Sequence, residues 1–187
     1  SYYISLPTYG YEVFFSEKGR FLGLRAEMDP INIKSGTQRA IVATDPAKIL
    51  EFKKRLDAAK PVGFKGIYWF RLPIKSDQFN WSMATLKAVM EDRSPKVSIK
   101  TEVISPQPGL YEVYVANDGE KNSFRQIIFS VKWDTKDKMA YDVLAGYAEG
   151  SLKESGMIKI TGPAPKVNTR ILAAWFRTGR IDTNPLT

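Results

Sequence analysis

The 187-residue chain contains no cysteine and no histidine. Without cysteine there is no thiol nucleophile, no disulfide framework and no thiolate metal site. Without histidine, Ser–His–Asp hydrolysis, His-ligated zinc and HExxH protease chemistry are excluded too. Acid–base chemistry has to come from Asp, Glu, Lys or Tyr. Long apolar runs are also lacking. Stretches such as Ile67-Tyr68-Trp69-Phe70 fall far short of the roughly 20 residues that span a bilayer, so no membrane-spanning segment is expected. Gly146, Gly150 and Gly156 do not make a GxxxxGK[ST] phosphate loop, and neither a cofactor nor a metal is expected. The chain begins Ser1-Tyr2-Tyr3, with no initiator methionine and no basic-then-apolar leader. It is expected to be a processed product or an excised part of something longer.

What is present reads as globular protein. Hydrophobic residues make up 43% of the chain and charged residues 26%, enough to fill one medium domain or two small ones. The net charge of +8 raises nucleic acid as a partner, because clustered Lys and Arg release counterions from phosphates. The distribution argues against it. Residues 1–95 carry 15 basic and 10 acidic side chains, residues 96–187 carry 13 and 10. The densest run, Lys53-Lys54-Arg55, sits beside Glu51 and Asp57, the pattern of a solvated helix face.

Two textures meet near residue 95. In 1–95, Tyr2–Leu6 is a β-prone run, and Tyr11–Phe15 and Phe21–Ala26 flank the turn-rich Ser16-Glu17-Lys18-Gly19-Arg20, which predicts a hairpin. Asp45-Pro46 opens a helix as acceptor and first-turn proline, and Lys60-Pro61 closes it. Phe64–Leu72 is nearly continuous in apolar residues and predicts a strand buried on both faces. Ser82–Glu91 predicts a second helix with Met83, Leu86, Val89 and Met90 inward. Strands alternating with helices are the mark of an α/β region. In 96–187, alternation from Val97, the turn Pro106–Gly109, and strands over Leu110–Ala116, Phe124–Trp133, Met139–Tyr147, Met157–Ile160 and Asn168–Phe176 predict about six strands. Their spacing predicts an immunoglobulin-like β-sandwich without its cysteines, with a long hairpin across Asn117–Asn122.

Several segments resemble one family. These are Leu6-Pro7-Thr8-Tyr9-Gly10-Tyr11, Leu24-Arg25-Ala26-Glu27, and Gly66–Pro73 with Asp77 and Trp81. Tyr111–Gly119 and Ala174-Trp175-Phe176-Arg177 belong to the same set. Together they resemble an uncharacterised bacterial cell-envelope family with a glycoside-hydrolase-like (β/α) barrel followed by a small β-sandwich. The resemblance implies that 1–95 is the C-terminal portion of such a barrel, with strands ending near Pro7 and Pro73. It also implies a periplasmic or cell-envelope location. A full barrel takes about 250 residues, so the implied partners are a carbohydrate or the N-terminal remainder of the barrel.

In such a barrel, function sits at the carboxyl ends of the strands. Thr8, Tyr9 and Tyr11 then follow one strand and Arg71, Asp77 and Trp81 the other, while Glu27 closes the inserted hairpin. Glu27 and Asp77 become the candidate catalytic carboxylates, because glycoside hydrolysis uses two carboxyl groups some 5 to 10 Å apart. Tyr9, Tyr11, Arg71 and Trp81 become substrate-binding candidates, since aromatic faces stack on sugars and Arg hydrogen-bonds hydroxyls. Each has a plainer reading. Glu27 is a solvated turn residue, Asp77 a loop or cap residue, Arg71 the partner of Asp77 or Glu27 in a structural pair, and Trp69 and Trp81 are core aromatics. Trp133, Tyr141, Tyr147 and Trp175 fill a core or form a sugar-binding face. The functional expectation is a carbohydrate-related envelope protein, glycoside-hydrolase-like but incomplete as an enzyme. The alternative is a non-enzymatic module that docks another polypeptide through its sandwich or an open sheet edge.

Overall fold

A computed structural model describes residues 1–27, 35–134, 136, 139–154, 156–179 and 181–186. It divides into two compact units, Ser1–Pro95 and Lys96–Thr187.

The first unit holds five strands and two helices. β1 (Tyr2–Pro7) runs parallel to β5 (Phe64–Phe70), with Tyr3 opposite Gly66 and Pro7 opposite Phe70. β2 (Gly10–Phe15) is the centre of a three-stranded antiparallel sheet, between β3 (Phe21–Arg25) and β4 (Gln38–Ala43). α1 (Pro46–Ala59) starts where the Asp45 side chain accepts from the Ala47 N–H, and it ends at Lys60 in the left-handed conformation. α2 (Met83–Met90) is capped by Ser82, which accepts from the Thr85 N–H. Its buried face is Thr85, Leu86, Ala88 and Val89. Met83 and Met90, expected inward, are exposed, because an eight-residue helix has room for only one covered stripe. Leu50, Trp81, Leu86 and Val89 form the core, with Ile49 and Trp69 against it.

The second unit has eight strands in two four-stranded sheets. β6 (Ile99–Gln107), β7 (Leu110–Asn117), β12 (Thr169–Arg177) and β9 (Ala140–Val143) make one, in that order. β10 (Ala148–Glu154), β11 (Met157–Pro163), β8 (Gln126–Trp133) and β13 (Ile181–Leu186) make the other. Every pairing in both is antiparallel. Val113, Val115 and Phe176 from the first sheet meet Phe129, Val131, Ile158 and Ile160 from the second in one core. Alternation along each strand sends these side chains to the same face.

The fold class expected from sequence is corrected in both halves. The described residues of the first unit contain no closed barrel: one parallel pair stands beside an antiparallel sheet, whereas a (β/α) barrel closes eight parallel strands. β5 is not buried on both faces either, since Tyr68 is 60% and Phe70 58% exposed. In the second unit the strand order departs from the immunoglobulin pattern. There the fifth strand lies between the second and fourth; here that place belongs to β12, the seventh strand of the unit. The hairpin expected across Asn117–Asn122 is also absent, because β7 and β8 lie in different sheets. The Asn117 Nδ2 donates instead to the carbonyls of Lys121 and Pro165, and its Oδ1 accepts from the Gly119 N–H. That buried amide turns the chain from one sheet to the other.

Among the described residues no helix is long and apolar enough to cross a membrane.

Candidate functional site

Three segments of the first unit converge at Thr8, which is fully buried. Its N–H donates to the Phe70 carbonyl and its carbonyl accepts from the Trp81 N–H, both at 2.8 Å. Its hydroxyl donates to the Arg71 carbonyl. The exit of β1 is thereby fixed to the exit of β5 and to the lead-in of α2. The Tyr9 carbonyl accepts from the N–H (3.2 Å) and the hydroxyl (2.7 Å) of Thr44. Gly10 makes the next step possible: a Cβ there would lie 2.8 Å from the Val42 carbonyl oxygen and 2.9 Å from the Ala43 Cα. Only a glycine lets β2 approach β4 so closely.

These segments enclose a cleft of about 450 Å³, with Tyr9, Tyr11, Glu27, Phe70, Arg71 and Asp77 in its wall. The Tyr9 ring meets Tyr11 edge-on at 5.3 Å and Phe70 at 5.7 Å, the arrangement that ring quadrupoles favour. The Tyr11 phenol titrates above its ordinary value, first through its hydrogen bond with Tyr9, then through burial. Arg71, 41% exposed along its side chain, pairs with Asp77 and lies 3.9 Å from the Glu27 carboxylate.

The two carboxylates are occupied in holding the loop that follows β5. Asp77 accepts from the Ile74 N–H at 2.9 Å, from Asn80 Nδ2 at 2.8 Å and from Arg71. Glu27 accepts from the backbone N–H groups of Gln78 and Phe79. A clasp results: β3 ends on a carboxylate that grips the loop, and the loop carries a carboxylate that grips Arg71. Hydrogen bonds to charged groups contribute about 1.5–3 kcal/mol each, which suits a positioning role.

Of the residues singled out from sequence, Tyr9, Tyr11, Glu27, Arg71 and Asp77 line this cleft. Trp81 does not. It is buried, its ring 6.3 Å from Trp69 and its Nε1 donating to the Thr44 carbonyl. In the second unit, Trp133, Tyr141 and Tyr147 belong to the core or pack on it. Tyr147 donates its hydroxyl to the Pro163 carbonyl, and burial pushes its phenol up to about 12. One contributor to the cleft wall was not singled out from sequence. Phe70 was hidden because a continuous apolar run gives no phase, so its outward face could not be told from that of Trp69. Thr8, expected at the strand end with Tyr9 and Tyr11, is buried and ties the three segments together. Among the described residues no group of three or more carboxylates is placed to hold a metal ion.

Residues 1–75 match the model of a domain of unknown function, DUF3142. The resemblance to an uncharacterised family is therefore found over the segment that carries β1 to β5 and most of the cleft wall. No curated protein matches the chain.

Proposed function

We propose that the cleft binds a carbohydrate and retains it without hydrolysing it. The observation that carries this reading is the division of labour in the wall. Three aromatic rings, Tyr9, Tyr11 and Phe70, stand beside a partly exposed guanidinium, while both nearby carboxylates are engaged by the loop. Aromatic faces accept sugar C–H surfaces, and Arg and Tyr hydroxyls recognise sugar hydroxyls. A hydrolase would need one carboxyl to deliver a proton and the other to attack or activate water; here each is spent on backbone N–H groups. A cell-envelope setting, which the family resemblance implies, would put the cleft among polysaccharides.

Isothermal calorimetry against a panel of bacterial and plant polysaccharides tests this. Saturable binding that Phe70→Ala weakens about tenfold, equivalent to about 1.4 kcal/mol, is expected. Reducing-end assays are expected to detect no cleavage. Absence of binding across the panel, or binding indifferent to Phe70→Ala, overturns the reading.

A further inference from the structure

We propose that the sugar held in the cleft of the first unit is an amino sugar bearing a free ammonium group; this rests on the carbohydrate reading and narrows it. The charges in the wall do not balance. Two carboxylates, Glu27 and Asp77, stand there with one cation, Arg71, which leaves a single negative charge in excess. Asp77 cancels Arg71 through their direct ion pair. Glu27 is the surplus. Arg71 lies 3.9 Å from it, and its closer partners are the neutral N–H groups of Gln78 and Phe79. The Glu27 side chain is only 12% exposed, so little water screens its charge from a ligand in the cleft. Lys75, next along the loop, is exposed and lies outside the wall.

The rings favour a ligand of the same sign. Tyr9 stands at 86° to Tyr11 and at 88° to Phe70, so the wall offers ring planes in two orientations. The face of a ring is the negative part of its quadrupole and attracts a cation within about 6 Å of its centre. Phe70 is largely exposed and keeps ring surface open to the ligand. An ammonium has three donors and no acceptor; the hydroxyls of Tyr9 and Tyr11 and the carboxylate of Glu27 supply acceptor oxygens. A uronic acid or a sulfated sugar fits badly, because its anion would meet the uncancelled Glu27. An N-acetylated sugar carries no charge and gains nothing from it. The chain as a whole has a net charge of +8, so its surface at large repels a cationic saccharide. A preference for the amino form against that background has its origin in the cleft.

The test uses the full chain and three trisaccharides of matched linkage, built from glucose, glucosamine or N-acetylglucosamine. Titration calorimetry at mildly acidic pH, where the sugar amine is protonated, is expected to show the glucosamine form binding about tenfold tighter than the other two. Ser76→Lys, an exposed change in the wall, adds a cation and is expected to bring that ratio close to one. Glu27→Gln keeps an acceptor oxygen for the loop, removes the charge, and is expected to do the same. The ratio is the readout because a loosened loop weakens all three sugars together and leaves their ratio unchanged. Equal binding of the three by the parent, or a preference for the N-acetylated form, overturns the inference and leaves the carbohydrate reading in place. A preference that survives both substitutions overturns it as well. Silence from all three sugars overturns it too, and silence that extends to the whole polysaccharide panel overturns the carbohydrate reading itself.

Discussion

Ser1–Pro95 and Lys96–Thr187 use similar lengths of chain and treat their apolar residues differently. Among the described residues, fifteen large apolar side chains of the first unit are exposed, against four in the second. The reason lies in strand pairing. The second unit has two sheets of four strands each, which face one another across a single core. The first divides its strands between a pair and a triplet, and the core under its helices has four buried members. Good local elements are present in both; what differs is whether the sheets are wide enough to cover each other.

The comparison breaks most decisively if the two units are produced separately. Lys96–Thr187 is expected to unfold in one cooperative transition in urea. Ser1–Pro95 is expected to bind a hydrophobic dye strongly and to unfold without a sharp midpoint. Sharp, dye-free unfolding of Ser1–Pro95 would erase the contrast.

Within the whole chain, Phe176→Ala removes a ring with no exposed surface and is expected to cost about 3–5 kcal/mol. Phe70→Ala removes an exposed ring and is expected to cost less than about 0.5 kcal/mol. Denaturant midpoints of the two variants give the ratio directly. Asp77→Ala is expected to cost about 2–3 kcal/mol, since it takes away a carboxylate with 3% side-chain exposure that holds Arg71, Asn80 and the Ile74 N–H. Fast amide exchange at Ile74 would locate that loss at the clasp; unchanged exchange there would mean the loop is held by something else.

The last effect is alkaline. Burial raises the Tyr147 phenol to about 12 in the folded state, against about 10 in an unfolded chain. The unfolded state therefore releases the proton first, and this group contributes a fall in stability between pH 10 and 12. Tyr147→Phe is expected to flatten that fall, while costing about 1 kcal/mol at neutral pH through the lost bond to Pro163. Parallel pH curves for parent and variant would contradict it.

Legibility in the sequence followed the strength of local signals. Asp45-Pro46 and Lys60-Pro61 are start and stop chemistry, and α1 runs from Pro46 to Ala59 as they require. The turn at Ser16–Arg20 joins paired strands β2 and β3. β10 and β13 went unread for opposite reasons. Ala148–Glu154 is polar and lacks β-branched residues, and Ile181–Leu186 contains Pro185, which a strand tolerates only at an edge or a bulge. Sheet membership was not legible at all. Asn117-Asp118-Gly119 reads as a hairpin turn from its composition, yet the same residues serve as a crossing between sheets, because only tertiary partners such as Pro165 distinguish the two. At the cleft, residue types at strand ends were informative. The roles of Glu27 and Asp77 were not, since sequence does not reveal which backbone N–H groups a carboxylate will meet.

The glycines mark where the molecule admits foreign chemistry. A Cβ at Gly119 would lie 2.5 Å from the Lys96 carbonyl oxygen and 2.6 Å from the Ser98 nitrogen, whereas nothing lies within 4 Å of one at Gly19. A fluorophore, epitope or affinity handle spliced in beside Gly19 has open room around it. The same graft at Gly119 would pry apart the segments that lead into β6 and out of β7.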